Sequence, residues 1–241
     1  MQGSPVSFWV LCLAVLVGII LNLVADQVVP AGFWRSAAKA LSFVLAASPA
    51  LYNVWVGQRR EQERLAEATA HEIRDKLKLA IERLFEGEHL SKVRANVMMP
   101  DGDRLTIRYD WNMDVAPDRD VSFRSGEGVA GLAWEYSQSK PPAHRWRPVT
   151  APDLAKTAPK SWGIDDMRTL EATKHLKWVV SIPILGRKKR TALGVLNFDG
   201  SAALSHPELL QSNDFFELCA GWAEVIGILL DKMGARAGSG R

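Results

Sequence analysis

Cysteine is nearly absent from this chain. Only Cys12 and Cys219 occur among 241 residues. Their surroundings share no metal-ligand or redox spacing, so a disulfide framework and a cysteine-based zinc site are excluded. A reducing compartment is the natural setting for such a chain. An excess of one charge is missing too: 30 Lys and Arg stand against 27 Asp and Glu, for a net +3. No basic stripe accompanies that balance, and no nucleic-acid partner is expected. Long apolar runs are absent beyond residue 56. The apolar residues crowd before that point, so the chain is built from two different materials.

Residues 6–24 carry no charge and are about long enough to span a hydrocarbon core. A second run, 37–56, contains Lys39 near one end and Pro49 inside. Trp9, Trp34, Tyr52 and Trp55 lie near the segment ends, as interface anchors do. The short linker 25–36 holds Asp26, Pro30 and Gly32, so a transmembrane hairpin over residues 1–56 is expected. Arg59, Arg60 and Arg64 outnumber Arg35 and Lys39, which places the C-terminal bulk in the cytoplasm, beneath an inner or cytoplasmic membrane. A cleaved signal peptide fits poorly, because no basic stretch precedes the first run. A single span with an interfacial second segment remains as the alternative.

Residues 57–87 turn charged, and no Pro or Gly falls between Gln58 and Glu86. Ala66, Ala70, Ile73, Leu77, Ala80 and Leu84 recur in alternating steps of four and three. That spacing fits the seam of a parallel homodimeric coiled coil, or one amphipathic helix lying on the next domain. The coiled coil is the expectation. His71-Glu72-Ile73-Arg74 resembles the phosphoacceptor box of sensor histidine kinases over four residues only. Lys76 replaces that family's proline, and no second His follows at the zinc-protease spacing. His71 therefore reads as a solvent-facing residue of a charged helix.

Residues 126–131 read Gly-Glu-Gly-Val-Ala-Gly, a G-x-G-x-x-G. A dinucleotide site needs this motif inside a βαβ unit. The preceding 118–125 is too polar for a central parallel strand, and 140–148 carries three prolines where the second strand should lie. Asp153 has the spacing of a ribose ligand but sits in loop-like sequence. The glycines are better read as a turn into a helix and a close approach of that helix to a sheet.

Around Pro100-Asp101-Gly102-Asp103, the stretches 92–99 and 104–110 read as a hairpin. Strand end, glycine turn and helix follow over 123–137, then a long loop over 138–163 and a short helix over 165–175. Residues 176–185 and 191–198 are paired strands around the basic turn 186–190. A terminal helix over 213–233 carries Phe215, Cys219, Trp222, Ile226, Leu229 and Met233 on one stripe. Residues 234–241 read as a flexible tail. Strands with helices between them, and a helix returning to the sheet, make an α+β domain over 88–233.

The order of these pieces resembles the GAF family of small-ligand sensor domains. The matching pieces are the glycine-led stretch 126–134 with Lys140-Pro141-Pro142 after it, Val180-Ser181-Ile182-Pro183-Ile184, then 192–198, then the terminal helix. The resemblance implies an antiparallel sheet with one face under the N- and C-terminal helices and the other facing a pocket. The fold class expected is α+β: a GAF-like antiparallel sheet with flanking helices, preceded by the transmembrane hairpin and the coiled-coil helix. Chemistries found in that family do not transfer. Methionine sulfoxide reduction needs several cysteines, and bilin binding needs a cysteine or a suitably placed His near the pocket, where a cysteine is missing. The cyclic-nucleotide motif is not matched by Asn197-Phe198-Asp199. No enzyme activity and no metal are expected.

Trp134, Trp146 and Trp162 cluster in sequence with Arg124, His144, Arg145, Arg147, Lys156 and Lys160. Aromatic faces beside cations suit a flat anionic ligand such as a nucleotide. The other reading is a core Trp134 and solvated loop cations. The expected ligand-binding set is Arg124, Trp134, His144, Trp146, Trp162, Ser181 and Asn197, with the ligand's identity open. The basic turn at Arg187 fits a hairpin tip or an anionic lipid contact. A helix over 58–85 would hold the domain roughly 40 Å from the bilayer, against lipid contact. The expected protein is a membrane-anchored, homodimeric, small-ligand-sensing regulator that acts on a downstream signalling protein or on its own membrane segment. The alternative makes the hairpin the effector, perturbing or gating the bilayer under control of the sensor domain. Lys39, Ser42, Ser48, Pro49 and Asn53 give the second run the polar component for that.

Overall fold

The computed structural model describes the chain except residues 1–12, 14, 21–23, 25–32, 114–118, 140–144, 155–161, 165, 188–190 and 239–241. Most of the first expected span, Cys12, His144, Lys156, Lys160 and most of the basic turn therefore lie outside the described residues. The chain forms two compact units, Met1–Leu65 and Ala66–Arg241.

In the first unit residues 15–20 are helical. Helix α1, Phe33–Leu84, begins here and runs for 52 residues without a break, so 37–56 and 57–84 belong to one helix. Leu13, Leu16, Ile19, Ile20, Val44, Val54 and Trp55 are exposed. The Arg59 guanidinium lies 5.7 Å from the Trp55 ring centre and 3.1 Å from Glu63. Among the described residues no helix is long and apolar enough to cross a membrane.

The second unit is built on a six-stranded antiparallel sheet. Its strands are β1 (Val93–Asp101), β2 (Arg104–Trp111), β3 (Ser122–Arg124), β4 (Val149–Ala151), β5 (Trp178–Leu185) and β6 (Ala192–Gly200). Their spatial order is β3-β2-β1-β6-β5-β4. Asp101 pairs with Arg104 across the expected hairpin, whose Gly102 has φ +64°. Among the described residues three further α-helices belong to the unit: α2 (Gly128–Ser139), α3 (Met167–Thr173) and α4 (Asn213–Gly238). The α+β class with helices flanking an antiparallel sheet is what the sequence led us to expect.

Strand alternation sorts the two faces. Val93, Ala95 and Val97 of β1, Val180, Ile182 and Ile184 of β5, and Leu196 and Phe198 of β6 turn to one side. There they meet the lower part of α1 and the stripe of α4. Phe85 stands at the centre, with ring centres of Trp178, Phe198 and Phe215 at 5.1, 5.8 and 5.7 Å. Gly227 brings α4 close: a Cβ there would stand 2.7 Å from the Leu185 carbonyl oxygen.

This packing corrects the expected coiled-coil seam. Ile73, Leu77, Ala80 and Leu84 are buried in the domain's own core, and Ala70 packs against it. Ala66 is exposed. The same stripe serves either use, and the open apolar face of the adjoining sheet takes it. His71 is exposed, 3.6 Å from Asp75.

The expected long loop 138–163 contains β4. It pairs Val149, Thr150 and Ala151 with Ser181, Val180 and Val179 at the sheet edge. Three residues cannot display an alternation, and the flanking Pro148 and Pro152 suit an edge. Asp166 caps α3, accepting from the backbone N–H groups of Arg168 and Thr169.

Candidate ligand pocket

The sheet's other face carries the candidate site. Its foundation is the glycine turn between β3 and α2. Gly126 and Gly128 have φ of +81° and +67°, the left-handed region that glycine adopts without strain. The Gly126 N–H donates to the Gly131 carbonyl at 2.9 Å. The half-turn is locked by Glu127, whose carboxylate accepts from the Arg124 backbone N–H at 2.8 Å and lies 3.7 Å from the Arg104 guanidinium. A Cβ at Gly131 would fall 2.2 Å from the Arg124 carbonyl oxygen, so only glycine lets α2 settle this low. Ala130 and Ala133 then pack on Met98, Leu105 and Val195.

Between α2, α3 and the sheet lies a cavity of about 90 Å³. Asn96 and Met98 of β1 with Asn197 and Asp199 of β6 form its floor. Met113, Phe123, Val129, Trp162 and Ile164 close much of the remainder with apolar surface.

The floor is a polar row crossing three strands. The Ser181 hydroxyl donates to Asn197 Oδ1 at 2.6 Å, and Asn197 Nδ2 donates to Asn96 Oδ1 at 2.8 Å. All three are buried. The row follows from register, because Asn197 faces Asn96 on one side and Ser181 on the other. One step along, Arg94 faces Asp199, and both Nε and Nη2 stand 2.6 Å from Oδ1. Buried polar groups persist only when partnered, and these strands partner one another.

The expected ligand set is thus divided. Trp162 and Asn197 line the cavity, and Ser181 holds Asn197 from the neighbouring strand. Arg124 is exposed on edge strand β3, 3.8 Å from Asp103, and does not line it. Trp134 is half-buried and packs on the small core beneath α2, which is the bland reading of that residue. Trp146 is 45% exposed and borders a different groove of about 460 Å³ beside β5 and α4, with Pro183 and Glu224. His144 lies outside the described residues. The aromatic-and-cation cluster of the sequence is therefore not gathered into one site. Among the described residues, the cavity lining contains no Lys, Arg or His.

Asn96, Met98 and Met113 were missed in the sequence. A signal was present for the first: Arg94 and Asn96 alternate with Val93, Ala95 and Val97, as Asn197 and Asp199 alternate with Leu196 and Phe198. Period-two alternation in two paired strands marks one shared polar face.

Two further groups bear on what this unit can do. Cys219 is wholly buried on α4, where loss of hydration pushes its thiol pKa far up. Burial likewise raises the Tyr109 phenol, although the charges of Arg108 and Arg74 oppose the shift. Neither group lines the cavity. Among the described residues no cluster of His, Cys, Asp and Glu could hold a metal ion.

No family model matches the chain, and no curated protein does. Solved structures do. The GAF domain region of a Geobacter sulfurreducens PCA protein is 17% identical, with a TM-score of 0.51 over 71% of this chain and 98% of that one. The type II free methionine-R-sulfoxide reductase of Thermoplasma acidophilum is 12% identical, with a TM-score of 0.44 over 68% and 96%. The GAF domain of an Acinetobacter phosphoenolpyruvate-protein phosphotransferase is 13% identical, with a TM-score of 0.45 over 73% and 95%. The first of these likenesses establishes the architecture: a GAF fold.

Proposed function

We propose that this GAF-fold chain is a membrane-tethered regulatory protein that senses a small ligand in the cavity beside Asn197. One observation carries the reading. Strands β1, β5 and β6 present the polar row to the cavity on one face and hold α1 and α4 on the other. Asn197 and Phe198 are consecutive, so a ligand that moves the first bears on the ring against Phe85. Occupancy would then bias the packing of α1 and α4, and a partner protein or the membrane segment would read it. No catalytic residue is assigned.

The tether is residues 1–56. The apolar side chains of Leu13, Leu16, Ile19 and Ile20 are exposed and require apolar surroundings, which a bilayer supplies. The basic residues at 59, 60 and 64 favour a cytoplasmic sensor domain. Self-association would use the outward flanks of α1 and α4, where Leu79 and Leu218 are exposed, rather than the seam now buried.

The test is native mass spectrometry of the full chain released from membranes under mild conditions. A bound small molecule is expected, and it should be lost in Asn197→Leu. A chain that carries nothing and gains no thermal stability from metabolite mixtures would refute the sensor reading. Dye-loaded liposomes holding the full chain separate tether from effector, since leakage on ligand addition would favour the hairpin as the output.

A further inference from the structure

We infer that the ligand of this cavity is a neutral, compact, single-ring-sized molecule bearing a hydrogen-bond acceptor such as a carbonyl, held by two donors, Trp162 Nε1–H and Asn96 Nδ2–H. This rests on the sensor reading and narrows it. It also replaces the anionic, nucleotide-like ligand that the loop cations suggested.

The donors are identified by what they lack. Trp162 Nε1 is buried, and no described group accepts its proton. Leaving such a donor unmet costs about 1–3 kcal/mol, so an acceptor belongs beside it when the site is occupied. The second donor follows from the direction of the polar row. Ser181 donates to Asn197, and Asn197 donates to the carbonyl oxygen of Asn96. Asn96 therefore spends its acceptor inside the protein. Its amide NH₂ is the donor end of the row, with no described acceptor, and Asn96 itself lines the cavity. Both donors belong to residues that line one small cavity, and we place the ligand's acceptor between them.

Size and charge set the rest. About 90 Å³ is below the roughly 150 Å³ of an apolar cavity that holds benzene, so one small ring is the upper limit and a nucleotide does not fit. The one lining carboxylate among the described residues, Asp199, is paired with Arg94 of the neighbouring strand, and no described cation lines the cavity to receive an anion. Met98 and Met113 supply pliant apolar walls that adapt to a ring of either shape.

The experiment uses the full chain in detergent micelles with ¹⁵N-labelled indoles. The Trp162 resonance is assigned by its loss in Trp162→Phe. Cyclohexanone is compared with methylenecyclohexane, which has the same shape without the acceptor, and with benzoate and AMP. The ketone should move the Trp162 N–H resonance and bind about tenfold more tightly than the hydrocarbon, the worth of one such hydrogen bond. Trp162→Phe should weaken the ketone about tenfold and leave the hydrocarbon unchanged. Equal affinity for ketone and hydrocarbon would overturn the donor assignment while leaving a sensing cavity. Tighter binding of benzoate or AMP would overturn the neutral-ligand inference and keep the sensor. Failure of all four to bind would remove the cavity reading along with it.

Discussion

Gly131 lies so close beneath Arg124 that a single added carbon would stand 2.2 Å from the Arg124 carbonyl oxygen. That oxygen belongs to strand β3 and cannot swing aside as a side chain can. Gly131→Ala should therefore lift α2 from the sheet and cost about 2–3 kcal/mol, read as a lower urea midpoint. Gly126→Ala has a milder origin. There φ is +81° and the nearest atom is the flexible Glu135 carboxylate at 3.1 Å, so about 1–2 kcal/mol is expected.

The Arg94–Asp199 pair yields a second prediction. Both partners are buried, and truncating one leaves the other's charge stranded. Asp199→Ala should cost about 3–5 kcal/mol. The double variant Arg94→Met with Asp199→Leu should recover most of that loss. Urea unfolding of the single and double variants checks it, and a double variant no better than the single would refute it.

Phe85 sets a third. It joins the end of α1 to β5, β6 and α4 through three aromatic contacts. Phe85→Ala should destabilise the second unit by about 3–5 kcal/mol. The loss should be seen in near-ultraviolet circular dichroism, because Trp178 is one of the rings released.

Cys219 gives a fourth, in pH. Burial raises its thiol in the fold, and Tyr109 is raised as well. Above the ordinary thiol range of about 8.5 the unfolded chain holds fewer protons than the folded one. Stability from this source is therefore complete below that range and declines as pH rises toward the folded value. Cys219→Ala should flatten the decline between about pH 8.5 and pH 10, where the phenol takes over. Native protein should also resist iodoacetamide that labels it readily in urea.

The sequence made some of this legible and hid the rest for identifiable reasons. The hairpin at Gly102, the strands around residues 180 and 195 and the stripe of α4 each carry their period over enough residues to be read. β4 does not, since three residues between two prolines show no period. The stripe Ile73–Leu77–Ala80–Leu84 was plain, but a stripe states only that something apolar covers it. Whether the cover is a second helix or the chain's own sheet depends on tertiary packing. Trp146 and Trp162 stand 16 positions apart in one loop-like stretch, and the structure sends them to different cavities. Asn96, by contrast, was within reach, because its alternation with Ala95 and Val97 already placed it with Arg94 on one side.

The row from Ser181 through Asn197 to Asn96 has a consequence for what a ligand in this cavity would meet. A hydroxyl and two carboxamides neither take up nor release a proton in the physiological range. Their dipoles point one way across three strands, toward the ring-sized space above. The hydrogen bonds within this row are therefore indifferent to acidity, although Asp199 beside it is a carboxylate. If the proposed sensing holds, what this row reports is how much ligand is present, not the proton concentration around it.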